Sequence, residues 1–79
     1  MTSKTISLEQ NDQRCKEIVV LLYRNDEGED GVLITGWYYE GDDYLIANRF
    51  IKMNTDDALS FIRDYSSVSA EDFIYNMSN

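Results

Sequence analysis

The apolar residues of this chain change their spacing once, after Met53, and that change restricts the fold to strands followed by helices. Upstream lie three runs of strand length, rich in β-branched, aliphatic and aromatic residues: Ile18-Val19-Val20-Leu21-Leu22-Tyr23, Val32-Leu33-Ile34-Thr35-Gly36-Trp37-Tyr38-Tyr39 and Tyr44-Leu45-Ile46-Ala47-Asn48-Arg49-Phe50-Ile51. The first is apolar at both parities, as expected of a strand central in its sheet or buried on both faces. Asn25-Asp26-Glu27-Gly28-Glu29-Asp30-Gly31 and Glu40-Gly41-Asp42-Asp43 are turn sequences, short enough to make the three strands an antiparallel meander. Gly36 inside the second run points to a bulge or to close approach of another backbone. Asn48 and Arg49 mark the far half of the third run as more exposed.

After Met53 the period becomes helical. Asn54 reads as an N-cap, Asp56 and Asp57 suit the positive end of a helix dipole, and Ala58, Phe61, Ile62 and Tyr65 fall at i, i+3, i+4 and i+7. Ser66-Ser67 breaks this helix. A second is expected to start from Ser69 as N-cap, with Glu71 and Asp72 in its first turn and Ala70, Phe73, Ile74 and Met77 on one stripe. Val68 and Phe73 stand where a hydrophobic staple would place them. Residues 1–16 are polar apart from the alternation Thr5-Ile6-Ser7-Leu8, and read as an edge strand, a short helix or a frayed arm. The expected fold is α+β: a three-stranded antiparallel β-meander followed by two short helices packed on one face, with room for an extra N-terminal element. The division is an N-terminal arm or short element over 1–16 and one compact acidic domain over 17–79.

A chain of 79 residues supports one core. Cys15 is the only cysteine, which excludes an internal disulfide framework and suits a reducing compartment, so the expected location is cytoplasmic. Neither an apolar run of signal-peptide length nor one of membrane-spanning length is present. There is no histidine, so imidazole acid–base machinery and the common histidine metal sites cannot be built, and Cys15 has no imidazole to activate it. The four glycines form neither a dinucleotide fingerprint nor a Walker loop. The Asp26–Asp30 turn has a passing likeness to a calcium loop, yet the twelfth position counted from Asp26 is Trp37, where a bidentate glutamate is needed. The expectation is a protein that is not an enzyme and takes no cofactor or metal.

Charge is the most informative feature. Residues 1–24 carry four basic and three acidic groups, whereas residues 25–79 carry three basic and twelve acidic ones. Such a field disfavours nucleic acid and anionic membrane as direct partners and favours a basic protein surface. In a three-stranded meander the first turn and the end of the third strand share one end of the sheet. Asp26, Glu27, Glu29, Asp30, Asp56 and Asp57 should therefore gather there, with Glu40, Asp42 and Asp43 at the other end. Carboxylates spaced on a rigid scaffold can imitate the charge track of a nucleic-acid backbone. Turn propensity, dipole compensation and solubility account for many of the same residues. Trp37, Tyr38 and Tyr39 must divide between two sheet faces of which two helices cover one, so Trp37 and Tyr39 join the acids as candidate partner-binding residues. Tyr23 and Tyr44 are assigned to core packing.

The order strand, acidic turn, strand, strand and two helices ending in Glu71-Asp72-Phe73-Ile74-Tyr75-Asn76-Met77 resembles the small acidic anti-defence proteins of bacteriophages, among them anti-CRISPR inhibitors and other DNA mimics. The resemblance covers residues 17–77 as a pattern of elements and charge. It implies a class of function: binding to, and inhibition of, a protein that handles nucleic acid. The alternative from the residues themselves is a small structural or regulatory interaction module, with a homodimer formed through the aromatic sheet face.

Overall fold

The computed structural model describes residues 2–7, 15–40 and 43–78, with side chains described at all of these except 15, 16, 38–40, 43–45, 47, 74, 77 and 78. Four strands, β1 (Ser3–Ser7), β2 (Cys15–Arg24), β3 (Asp30–Glu40) and β4 (Asp43–Lys52), precede two helices, α1 (Thr55–Asp64) and α2 (Ser67–Ser78). The strands form one antiparallel sheet in the order β1-β2-β3-β4. The fold is α+β.

The sheet therefore has four strands where three were expected. Residues 3–7 take the edge-strand option for the N-terminal segment, with Ile6 opposite Ile18 and the Leu22 N–H donating to the Thr2 carbonyl at 2.8 Å. Two residues of alternation around Ile6 could not announce this, because the strand is held from outside itself. Its Lys4 ammonium crosses to the end of α1 and donates to the carbonyls of Arg63 (2.9 Å) and Tyr65 (2.7 Å). A cation there meets the negative end of the helix dipole and satisfies carbonyls that the helix leaves without partners.

Strand pairing sorts the side chains into two faces, since residues directly opposite share a face. On the inner face the register aligns Ile6, Ile18 and Gly36, then Lys4, Val20, Ile34 and Arg49, then Leu22, Val32 and Ile51. Ile18, Val20, Val32 and Ile34 are buried there with Ala58, Ile62 and Tyr65 of the α1 segment and Ala70 and Phe73 of α2. Both helices thus pack on this one face. β2 is central as its composition required, but its odd-numbered residues are not enclosed. Gly36 pairs in register on both sides; the irregularity lies on β2, where Cys15 faces Tyr38 and Glu17 faces Trp37. Close approach of another backbone is seen at Gly31, where a Cβ would run into the Ile51 carbonyl and come within 2.9 Å of the Phe50 ring.

The helix starts follow from their caps. The Asn54 side chain accepts from the Asp57 N–H at 2.8 Å and donates to the Asp57 carboxylate at 3.1 Å, as its N-cap reading requires. The second helix starts three residues earlier than expected. Ser66, not Ser69, stands at the cap, its carbonyl accepting from the Ala70 N–H at 3.0 Å and its hydroxyl from the Ser69 N–H at 3.4 Å. Glu71 and Asp72 consequently lie beyond the first turn of α2, and Val68, inside that turn and 66% exposed, is lost to a staple.

Ile62 is fully buried at the centre of this interface. Ile62→Ala is expected to remove about 2–5 kcal/mol of unfolding free energy, and Asn54→Ala about 1 kcal/mol. Urea denaturation followed by far-ultraviolet circular dichroism measures both, and an Ile62→Ala loss no larger than the cap's would contradict this core.

Candidate acidic binding surface

The β2–β3 turn is organised by Asn25. Its side-chain carbonyl accepts from the N–H groups of Glu27 (3.0 Å) and Glu29 (2.9 Å), while its amide donates to the Glu29 carboxylate at 3.0 Å. The Gly28 N–H donates to the Asn25 carbonyl at 3.0 Å, and Gly28 has φ +79°, the left-handed conformation a three-residue hairpin loop needs after its first turn.

The four turn acids then divide. Asp30 pairs with Arg24 (Nε to Oδ1, 2.9 Å), and Glu29 pairs with Lys52 (Nζ to Oε2, 2.9 Å). The Lys52 ammonium, and after it the Asn25 amide, hold the Glu29 carboxyl at about 2, well below the usual carboxylate range. Asp26 and Glu27 are exposed, and no cation among the described residues pairs with them. Glu29 and Asp30 are thus framework, stapling β2, β3 and β4 together at the turn, and the repulsion implied by four adjacent acids is offset by cations that come from strand ends.

The clustering expected at this end of the sheet has a structural basis. The Met53 N–H donates to the Asp30 carbonyl at 3.0 Å, which brings the end of β4 and the start of α1 beside the turn. Asp56 and Asp57 open α1 there and are exposed. Glu40 and Asp43 pair as backbone neighbours at the opposite end of the sheet. Asp42 and the side chains of Tyr39, Glu40, Asp43 and Tyr44 lie outside the described residues.

Two further surfaces emerge only from packing. Between the helices and β4 runs a groove of about 720 Å³ with Phe61 and Phe73 in its wall and Asp57, Asp64, Asp72 and Arg49 along it. Arg63 lies 3.1 Å from Asp64 and holds that carboxyl below its ordinary range. On the sheet's outer face, Trp37 is 41% exposed and Ile46, its cross-strand partner, 51%. Tyr23, expected in the core, is instead 38% exposed on that face and meets Phe50 edge-on with ring centroids 6.1 Å apart. Lys52 and Asp64 went unsuspected in the sequence because their roles depend on partners brought in by folding. Asn25 carried a usable signal, an asparagine opening a turn.

Among the described residues, no group of three or more cysteine, aspartate or glutamate side chains is placed to hold a metal ion. No helix among them is long and apolar enough to cross a membrane.

The Glu29 carboxyl titrates lower folded than unfolded, so its contribution is complete above the unfolded range near pH 4.5 and disappears as pH falls toward 2. Lys52→Met should therefore lower stability at pH 7 and have a smaller effect near pH 2, as read from urea midpoints at the two pH values. Equal losses at both would show that Lys52 acts through packing and not through this ion pair. No protein-family model matches the chain, and no curated protein or solved structure matches it either.

Proposed function

We propose that this protein works by stoichiometric binding and not by catalysis, laying its acidic surface on the basic, nucleic-acid-handling surface of another protein and so inhibiting it. This is the mode of action implied by its resemblance to the anti-defence proteins of bacteriophages, and it would be exercised in the cytoplasm of a host cell.

The observation that carries this reading is the disposition of charge. Arg24, Lys52 and Arg63 are each held by an acid of the chain itself, and Lys4 by helix carbonyls. Asp26, Glu27, Asp56, Glu71 and Asp72 are exposed without a cation partner among the described residues. The acids left over project from a turn and two helices whose backbones are fixed by capping and packing. Such preset anionic groups lose little freedom on binding and steer a basic partner from a distance. Glu29 and Asp30 contribute by holding the turn, not by contact.

The test uses the immobilised chain to capture proteins from candidate host lysates, with capture repeated across a salt series and in the presence of competing DNA. Captured nucleic-acid-binding proteins should be released by both, since contacts that replace phosphate weaken steeply with ionic strength. The combined variant Asp26→Lys, Glu27→Lys, Asp56→Lys and Asp72→Lys, verified as folded by circular dichroism, should capture none of them. Capture indifferent to salt, to DNA and to these reversals would exclude mimicry of a nucleic acid.

A further inference from the structure

The outer face of the sheet is built differently from the rest of the surface. Its register aligns Ser7, Glu17, Trp37 and Ile46, then Thr5, Val19, Thr35 and Asn48, then Ser3, Leu21, Leu33 and Phe50, and last Tyr23, Gly31 and Lys52. The two middle rows contain no ionisable group. In a chain of net charge −8, these two rows are an uncharged strip, half apolar and half serine, threonine and asparagine, bounded by Glu17 at one end and Lys52 at the other. Both helices lie on the opposite face. Trp37, Ile46 and Tyr23 are the large side chains most open to water on it, while Val19, Leu21, Leu33 and Phe50 between them are half-buried.

We infer that this face is the interface of a homodimer, two copies packing sheet on sheet. Three observations select a second copy as the occupant. First, a basic partner finds no carboxylate in the middle rows, so the charge that recommends such a partner elsewhere on the molecule is missing here. Second, two chains that repel through their acids can meet on these rows, which carry none, and a face with apolar residues at its centre is complementary to itself under a twofold axis. Third, the size suits a weak dimer. At ~4.8 Å between strands and ~3.3 Å per residue these rows cover roughly 400 Å² of flat area before side-chain relief is added, about half of the ~800 Å² per partner in a standard interface. Two such faces pack about 10 Å apart with their side chains interdigitated. Trp37, in the end row, has the character of an interface anchor, large, stiff and 41% exposed. This inference stands apart from the acidic reading, since the carboxylates of the turn and helices remain outside the dimer.

Trp37 is the only tryptophan and reports its own surroundings. Sedimentation velocity from low micromolar to near-millimolar concentration should show a dimer that dissociates on dilution, with Trp37 emission moving to longer wavelength in step as the ring enters water. Ile46→Arg and Thr35→Arg place a charge on the face twice per dimer, leave Trp37 in place, and should raise the dissociation constant roughly 30-fold or more. Asp26→Lys with Glu27→Lys should dimerise at least as well as the native chain. The inference fails if the native chain is monomeric throughout the concentration range, whether Trp37 emission is that of an exposed ring or of one covered within its own chain. It also fails if both arginine variants fold and still dimerise as the native chain does. Because the dilution series on the native chain needs no variant, a folding defect in either one leaves the test intact.

Discussion

The docking of Ala58, Ile62 and Tyr65 on Ile18, Val20, Val32 and Ile34 is the contact on which the other features depend. Each fully buried aliphatic side chain in it contributes about 1.5–3 kcal/mol relative to exposure. The contact also selects a face. Once α1 lies across the even-numbered residues of β2 and β3, with α2 beside it, there is no further helix among the described residues to cover the odd-numbered ones. Lys4 extends the same contact to the sheet edge by joining β1 to the end of α1.

The acids are arranged around this framework in two roles. Glu29 and Asp30 face cations at strand ends and lock the β2–β3 turn to β4. Such exposed ion pairs add little stability individually, but here they sit on a turn already ordered by the Asn25 hydrogen bonds and determine which carboxylates remain outward. Among the described residues Asp26, Glu27, Asp56 and Asp57 remain at one end of the sheet and Glu71 and Asp72 on the helical layer, where Asp64 is taken by Arg63. The acidity is therefore less concentrated in the turn than the residue order implies and more widely spread over the helices.

How far the sequence could be read differs by element. Long, strongly patterned segments were legible: the three runs from Ile18 to Ile51 became β2, β3 and β4, each extended by a few residues, and the stripe from Ala58 to Tyr65 became the buried side of α1. The Asn54 cap was legible because an N-cap is a local bond between a side chain and a backbone N–H three residues on. β1 was ambiguous, since a five-residue strand gains its stability from β2 and from a lysine bond to a helix nearly sixty residues away. The start of α2 was misplaced because Ser66, Ser67 and Ser69 are all competent caps, and either start puts Ala70 and Phe73 on the same stripe; the bonds to the Ser66 carbonyl and hydroxyl mark the cap. Tyr23 was misassigned because an apolar run has no parity of its own.

What the sequence determined by itself is the change of period after Met53, the positions of the turns, the charge carried by each segment and the absence of imidazole chemistry, because all of these are local or compositional. What only the tertiary structure decided is which parity of each strand faces the helices, and with it which of the apolar residues remain open to water. It decided, too, which acids are consumed by cations and which are left exposed. Both outcomes depend on distances between residues far apart in the chain, such as Lys52 and Glu29 or Lys4 and Tyr65, and no local pattern carries that information.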